Sequence, residues 1–255
     1  MPQFASYPSL KGRSVFVSGG GSGIGASIVE HFAEQGARVG FVDIDSAASR
    51  ALIEKIGAAG HPAPLFAECD VRDIGAYQSA IAATAKALGP ITVLVNNAAR
   101  DDRHALQDVT PAFWDERIAV NLRHQYFAIQ AVAPGMKQAG GGSIVNFSSV
   151  SYHTMTPQLS VYQAAKAAVI GMTRGLARDL GPDGIRLNAI TPGWIMTQRQ
   201  IDLWLTPQAE AALMTAQCLK EKVYPPDIAR MVLWLAADDS RLVTAQNFVV
   251  DGGRM

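Results

Sequence analysis

Tyr162 and Lys166 stand four residues apart in a stretch whose spacing predicts a helix over 162–180, so both side chains leave one helix face. A phenol and an ammonium side by side make an acid–base pair. The cation stabilises phenolate and lowers a tyrosine pKa that is ordinarily about 10, and such a tyrosine can take the proton of a substrate hydroxyl. Ser149 lies 13 residues before Tyr162, just after an apolar run at 143–147. Its hydroxyl can hold a reacting oxygen beside the phenol, with Ser148 and Ser151 as neighbouring alternatives. Asn121 falls in mid-helix, where propensity disfavours it. It can hold a water that links Lys166 to solvent, or serve as a buried structural amide.

A second chemistry precedes these residues in the chain. Ser18-Gly19-Gly20-Gly21-Ser22-Gly23-Ile24-Gly25 follows a predicted strand and opens a predicted helix. Glycines permit the tight turn and let backbone reach a pyrophosphate, whose charge is favoured at a helix N-terminus. The spacing of Gly19, Gly23 and Gly25 is GxxxGxG, unlike the GxGxxG of many dinucleotide domains. Asp43, with Ile44 beside it, ends the second predicted strand 18 residues beyond Gly25. A carboxylate there accepts hydrogen bonds from ribose hydroxyls and repels a 2′-phosphate, and no Arg or Lys adjoins it; the expected cofactor is NAD. Asp70 and Val71, after the third strand, are placed to meet the adenine. Asn96-Asn97-Ala98-Ala99 closes the fourth with small residues, and Asn97 and Ala98 are expected against the cofactor. Tyr162 would then remove a proton while hydride leaves carbon for NAD.

The elements that must position these groups form an alternating series. Apolar, β-branched runs predict strands at 14–18, 39–42, 64–67, 92–95, 143–147, 186–189 and 247–250, and helix formers at 26–35, 75–87 and 162–180 separate them. Their near-continuous hydrophobicity suits strands buried on both faces. The expected fold is α/β: a Rossmann-type doubly wound parallel sheet of about seven strands with helices on both faces, in one domain spanning 1–255. One segment, 193–222, departs from the rhythm. It reads either as a lid over a ligand or as a surface excursion with some buried aromatics.

Composition narrows the partners. Lys and Arg total 22, as do Asp and Glu, so formal net charge is zero and neither nucleic acid nor an anionic membrane is expected. No apolar run reaches membrane-spanning length, and the start of the chain does not read as a secretory signal. Cys69 and Cys218 lack ligand spacing and the five His are scattered, so reduced thiols, no metal and a cytoplasmic location are expected.

Taken together, the Ser-Gly-x-x-x-Gly-x-Gly turn, Asn-Asn-Ala, the Ser-to-Tyr spacing, Tyr-x-x-x-Lys and Pro192-Gly193 resemble the short-chain dehydrogenase/reductase family, in order from about Gly12 to Gly253. Ser18 stands where that family more often has threonine, and Ala99 where it has glycine. The resemblance implies strand order 3-2-1-4-5-6-7 and a catalytic set of Asn121, Ser149, Tyr162 and Lys166. It also implies a nicotinamide loop shaped by Pro192, Gly193, Ile195 and Thr197. A homotetramer is implied as well, with one interface along 112–137 and 162–180 and another near Asp251-Gly252-Gly253.

Several stretches are similar to bacterial sugar dehydrogenases of that family, D-xylose 1-dehydrogenases especially. Among them are Asp101-Asp102-Arg103-His104, Trp114-Asp115-Glu116-Arg117 and Asn121-Leu122-Arg123-His124. This implies oxidation of an aldose at its anomeric carbon to the lactone. The residues themselves are compatible. Asp101, Asp102, Arg103 and His104 follow the fourth strand, Tyr152 and His153 follow Ser149, Gln163 adjoins Tyr162, and Trp194 lies in the 193–222 segment. Such a set suits a polyhydroxylated ring. Asp101–His104 can equally be a solvated loop or a subunit contact. Oxidation of a secondary alcohol on a polyol or sugar acid, or reduction of a 3-oxo compound, would use the same machinery. A non-catalytic dinucleotide sensor is disfavoured because all four catalytic positions are filled.

Overall fold

A computed structural model describes residues 4–255. Along the chain run β1 (Ser14–Ser18), α1 (Gly23–Glu34), β2 (Arg38–Asp43), α2 (Ser46–Ala58), β3 (Leu65–Glu68), α3 (Ile74–Leu88) and β4 (Val93–Asn96). Then follow α4 (Pro111–Ile118), a π-helical turn (Ala119–Arg123), α5 (His124–Gln138), β5 (Gly142–Phe147), α6 (Ser160–Leu180) and β6 (Ile185–Pro192). The chain closes with α7 (Gln198–Trp204), α8 (Pro207–Ala216), α9 (Pro225–Ala236) and β7 (Asn247–Val250).

Seven strands make one sheet in the order β3-β2-β1-β4-β5-β6-β7, with every pairing parallel. This is the order expected from the sequence. All five residues of β1 and all four of β4 are buried, because helices cover both faces. Alternate side chains feed two cores. Val15, Val17, Val93 and Val95 pack with Ile28, Phe32 and Val232 of α1 and α9. Phe16, Leu94 and Ile144 pack with Tyr77, Ile129 and Met136 of α3 and α5.

The chain order reverses between β1 and β4, which opens a crevice above the C-terminal ends of the strands. Asp43 and Pro192 end their strands on that side, and the glycine turn, Asp70, Asn97 and Ser149 follow strand ends there. The segment 193–222 is more ordered than a surface excursion: it folds into α7 and α8, capped by Thr197 and Thr206. No described helix is long and apolar enough to cross a membrane.

Candidate active site

A cavity of about 970 Å³ runs along the strand ends. Its floor at one end is the glycine turn. Gly19 and Gly23 sit at φ +67° and +55°, and a Cβ on Gly25 would meet the Gly19 carbonyl oxygen at 1.8 Å, so only glycine lets the helix start so close to the turn. Ser22 is the N-cap residue of α1 but its side chain makes no capping bond, so the helix opens toward the cavity with unsatisfied backbone N–H groups. Asp43 buttresses this turn: its Oδ2 accepts from the Gly21 N–H at 2.8 Å and its Oδ1 from the Asp45 N–H at 3.0 Å. Ser18 ties β1 to β4, its Oγ accepting from the N–H groups of Asn97 and Ala98 at 3.1 Å each. The shorter serine thus serves the position with its hydroxyl alone. Asp70 lines the same cavity, with its carboxylate held by Arg72, whose hydrogen bonds keep it below the usual carboxylate range.

At the other end stand Tyr162 and Lys166. Helix α6 turns Val161, Ala165, Lys166, Val169, Thr173 and Ala177 inward, so an amine lies on an otherwise apolar stripe. Lys166 is 1% exposed; its Nζ donates to the Phe147 carbonyl at 2.9 Å and sits 5.6 Å from the centre of the Tyr162 ring. Burial pushes its pKa down to about 7, and the Asp101 carboxylate opposes that shift. Tyr162 keeps partial exposure, yet burial, reinforced by Asp101, raises its phenol well above the ordinary tyrosine range. The Ser149 hydroxyl, Arg103 and Arg199 act the other way. The expected lowering by Lys166 is therefore not produced by the side chains alone. A lysine pushed toward neutrality is a weak stabiliser of phenolate, and desolvation of Tyr162 outweighs it.

The three candidate serines differ in their surroundings. Ser148 is buried and donates to the Lys166 carbonyl at 2.7 Å, and Ser151 is buried as well. All three serines line the cavity, but Ser149 alone of them keeps partial exposure and interacts with Tyr162. Asn121 sits in the π-helical turn and not in a regular helix, and does not line the cavity. Its Oδ1 accepts from the Arg100 N–H at 2.9 Å, and its Nδ2 donates to the Arg100 and Arg117 carbonyls at 3.1 and 2.9 Å. The amide is thus committed to backbone, where it pins the loop that carries Asp101.

All seventeen residues expected at the cofactor line the cavity, Ile24, Ile44, Val71, Pro192, Gly193, Ile195 and Thr197 included. The residues expected at the substrate divide. Asp101, Arg103, Ser149, Tyr162 and Trp194 line the cavity, whereas Asp102, His104, Tyr152, His153 and Gln163 do not. Asp102 is taken up by ion pairs with Arg117 and Arg100. His104 contacts the Ser160 hydroxyl and packs on Phe113. Gln163 donates to the Ser151 and Thr156 carbonyls at 2.9 and 2.6 Å. Tyr152 and His153 lie at the end of a tight turn and stack on each other, ring centres 4.0 Å apart.

Arg199, Gln200 and Trp204 complete the wall; all three lie in the 193–222 segment read as a lid or a surface excursion, where Arg199 and Gln200 carry no signal of their own in the sequence. Arg199 pairs with Asp101, Gln200 donates to Asp101 at 2.9 Å and accepts from the Trp194 indole at 2.9 Å, and Trp204 lies 4.9 Å beneath the Arg103 guanidinium. The contacts of Asp101 with Arg199 and Gln200 span 98 and 99 residues, and no local pattern announces them.

Comparison with known proteins agrees with this architecture. A family model described as enoyl-(acyl carrier protein) reductase matches residues 19–254. A probable galactose dehydrogenase of Rhizobium meliloti is 51% identical over 249 residues, covering 98% of this chain and 97% of that protein. A D-xylose 1-dehydrogenase of Caulobacter vibrioides is 50% identical over 249 residues, covering 98% of both. Among solved structures, a 3-oxoacyl-(acyl-carrier protein) reductase from Brucella melitensis with bound NAD superposes with a TM-score of 0.89 at 32% identity, covering 100% of this chain and 98% of that one. The fold, the ordered motifs and these whole-length matches place the chain in the short-chain dehydrogenase/reductase family of oxidoreductases.

Proposed function

We propose that the chain is an NAD-dependent dehydrogenase that oxidises the anomeric hydroxyl of an aldose to the lactone. One observation carries the reading: Tyr162, Ser149 and Lys166 meet a wall of Asp101, Arg103, Arg199, Gln200 and Trp194 within one cavity. Charged forks, an amide and an indole face suit a ring of hydroxyls better than an acyl chain. The names of the two sugar dehydrogenases at 50% and 51% identity support the same substrate class. For the cofactor, the glycine turn fits a pyrophosphate, and Asp43 at the end of β2 fits a ribose without a 2′-phosphate.

Bound NAD would supply the hydride acceptor. Ser149 and Tyr162 hold the anomeric hydroxyl, and Tyr162 takes its proton. Lys166 lies behind Tyr162, its Nζ on the Phe147 carbonyl, and can pass the proton toward solvent by way of the π-helical turn that holds Asn121. The nicotinium charge near Tyr162 and Lys166 would favour phenolate, which the side chains alone do not. The 193–222 segment closes over the sugar through α7. A homotetramer would use the faces of α4, α5 and α6, where Trp114 and Tyr126 are exposed.

The test is NADH absorbance with a panel of pentoses, hexoses, 6-deoxyhexoses, polyols and sugar acids, followed by product analysis. Lactone from an aldose is expected; a ketone from a polyol or sugar acid would overturn the substrate. Tyr162→Phe should lower turnover by roughly a hundredfold or more while still binding NAD. Near-normal turnover in that variant would remove Tyr162 from its role.

A further inference from the structure

A second cavity, about 530 Å³, opens at the opposite end of the sheet, where β1, β2, β5 and β6 begin. Lys11, Arg13, Arg38, Arg186 and Arg241 line it, with Asp238 as its one acidic residue. In a chain whose net charge is zero, five cations around one concavity form a local concentration of charge that nothing in the overall composition requires.

Part of this charge has structural work. Arg13 pairs with Asp238, and Arg186 donates to the carbonyls of Leu235 and Ala237 at the end of α9. Lys11, Arg38 and Arg241 are different. Among the described residues none of the three forms an ion pair, and all are exposed. Arg38 gives only its Nε, to the Gly12 carbonyl at 3.0 Å, which leaves the outer edge of its guanidinium open. Much of the remaining wall is glycine: Gly140, Gly141, Gly142 and Gly184 line the cavity along with Pro90, Thr92 and Ala139. Gly141 has φ +135°, and a Cβ there would come within 2.5 Å of the Gly184 carbonyl oxygen. Burial, with Arg13 adding to it and Asp238 opposing, holds the Arg186 guanidinium below the usual arginine range.

We propose that this cavity binds a small phosphorylated molecule, gripped by Lys11, Arg38 and Arg241 against the glycine wall. The volume is that of a small-molecule site. Guanidinium forks match phosphoryl oxygens in pairs, and a doubly charged group offsets the mutual repulsion of the cations as a single carboxylate would not. A concave pocket with three open cations, not a stripe of charge, fits a metabolite better than a nucleic acid. The site lies at the opposite strand ends from the dinucleotide cavity and is independent of the reaction assigned to it.

Isothermal titration of the full chain, with saturating NAD present to cover the glycine turn, tests this with two probes. Inorganic pyrophosphate represents the bare anion and fructose 1,6-bisphosphate an organic phosphate. Binding of either probe with Kd below about 1 mM is expected, weakened tenfold or more in the doubly substituted Lys11→Glu/Arg241→Glu chain and in Arg241→Glu alone. Both positions are exposed, and far-UV circular dichroism checks the fold of each variant. Binding of both probes weaker than about 1 mM, or equal binding in wild type and both variants, would overturn the site and leave the cations to helix ends and solubility.

Discussion

Asp101 and Arg199, 98 residues apart in sequence, form an ion pair that joins the loop after β4 to the first turn of α7. The pair has a chemical consequence, because Asp101 raises and Arg199 lowers the proton affinity of the Tyr162 phenol. Asp101→Asn should therefore shift the rising limb of the kcat/KM profile for oxidation to lower pH. Arg199→Met should shift it to higher pH. Shifts in opposite directions mark an electrostatic role; a shared fall in rate with an unmoved limb would mean that the pair only holds α7 in place.

The carboxylate of Asp43 braces the turn, and under the proposed function it also reads the cofactor. Asp43→Asn keeps an acceptor for the Gly21 N–H but removes the charge that would repel a 2′-phosphate. The ratio of kcat/KM for NAD over NADP is expected to fall by about tenfold, with the fold intact. An unchanged ratio would mean that the preference is set elsewhere. Gly25→Ala should be more severe, since its Cβ collides with backbone at 1.8 Å, and dinucleotide binding is expected to be lost.

Much of this site is legible in the amino-acid sequence. Buried parallel strands announce themselves as apolar runs, and β1 and β7 fall at their expected bounds. The Tyr162–Lys166 pair and the glycine turn are local patterns, so spacing alone reveals them. What fails are inferences from proximity in sequence. Tyr152, His153 and Gln163 are close to Ser149 or Tyr162 along the chain, but Tyr152 and His153 end a 3₁₀ turn outside the cavity lining, and the Gln163 amide is spent on the Ser151 and Thr156 carbonyls. The cavity wall beside Asp101, Arg103 and Trp194 is instead completed by Arg199, Gln200 and Trp204 on α7. Thr197 and the Thr206-Pro207 pair are readable as helix starts, and they show that 193–222 folds; only the tertiary contact with Asp101 shows where.

Lys166 leaves a signature in stability. Its amine is held near a pKa of about 7 in the folded chain and returns to about 10.5 on unfolding. Between those values the unfolded chain binds the extra proton, so stability should climb as pH rises from 7 toward 10. The slope for one proton approaches about 1.4 kcal/mol per pH unit. Urea midpoints of wild type and Lys166→Met at pH 7, 8 and 9 measure it. The variant should lack the climb, and parallel curves would show that Lys166 stays charged in its pocket.

His124 should act in the acid range. The imidazole is fully buried; Nε2 lies 3.1 Å from the Ala98 carbonyl and so carries the proton, while Nδ1 has no hydrogen-bond partner among the described residues. Burial, with Lys166 adding to it, lowers its pKa to about 3. On unfolding, the ring regains a pKa near 6.5, so below that pH the unfolded chain binds one proton more and stability falls as pH falls, until about 3. From pH 6.5 to 5 the loss is about 1.6 kcal/mol, the full one-proton slope being reached only below about pH 5.5. That interval lies above the titration of Asp70, Asp101 and Glu116, each held below the ordinary carboxylate range. In His124→Gln the side-chain amide can still donate toward Ala98 but cannot titrate. Its stability should change little across the same interval, as read from urea midpoints at pH 6.5, 5.75 and 5. A variant as acid-sensitive as wild type would place the responsible proton on another group.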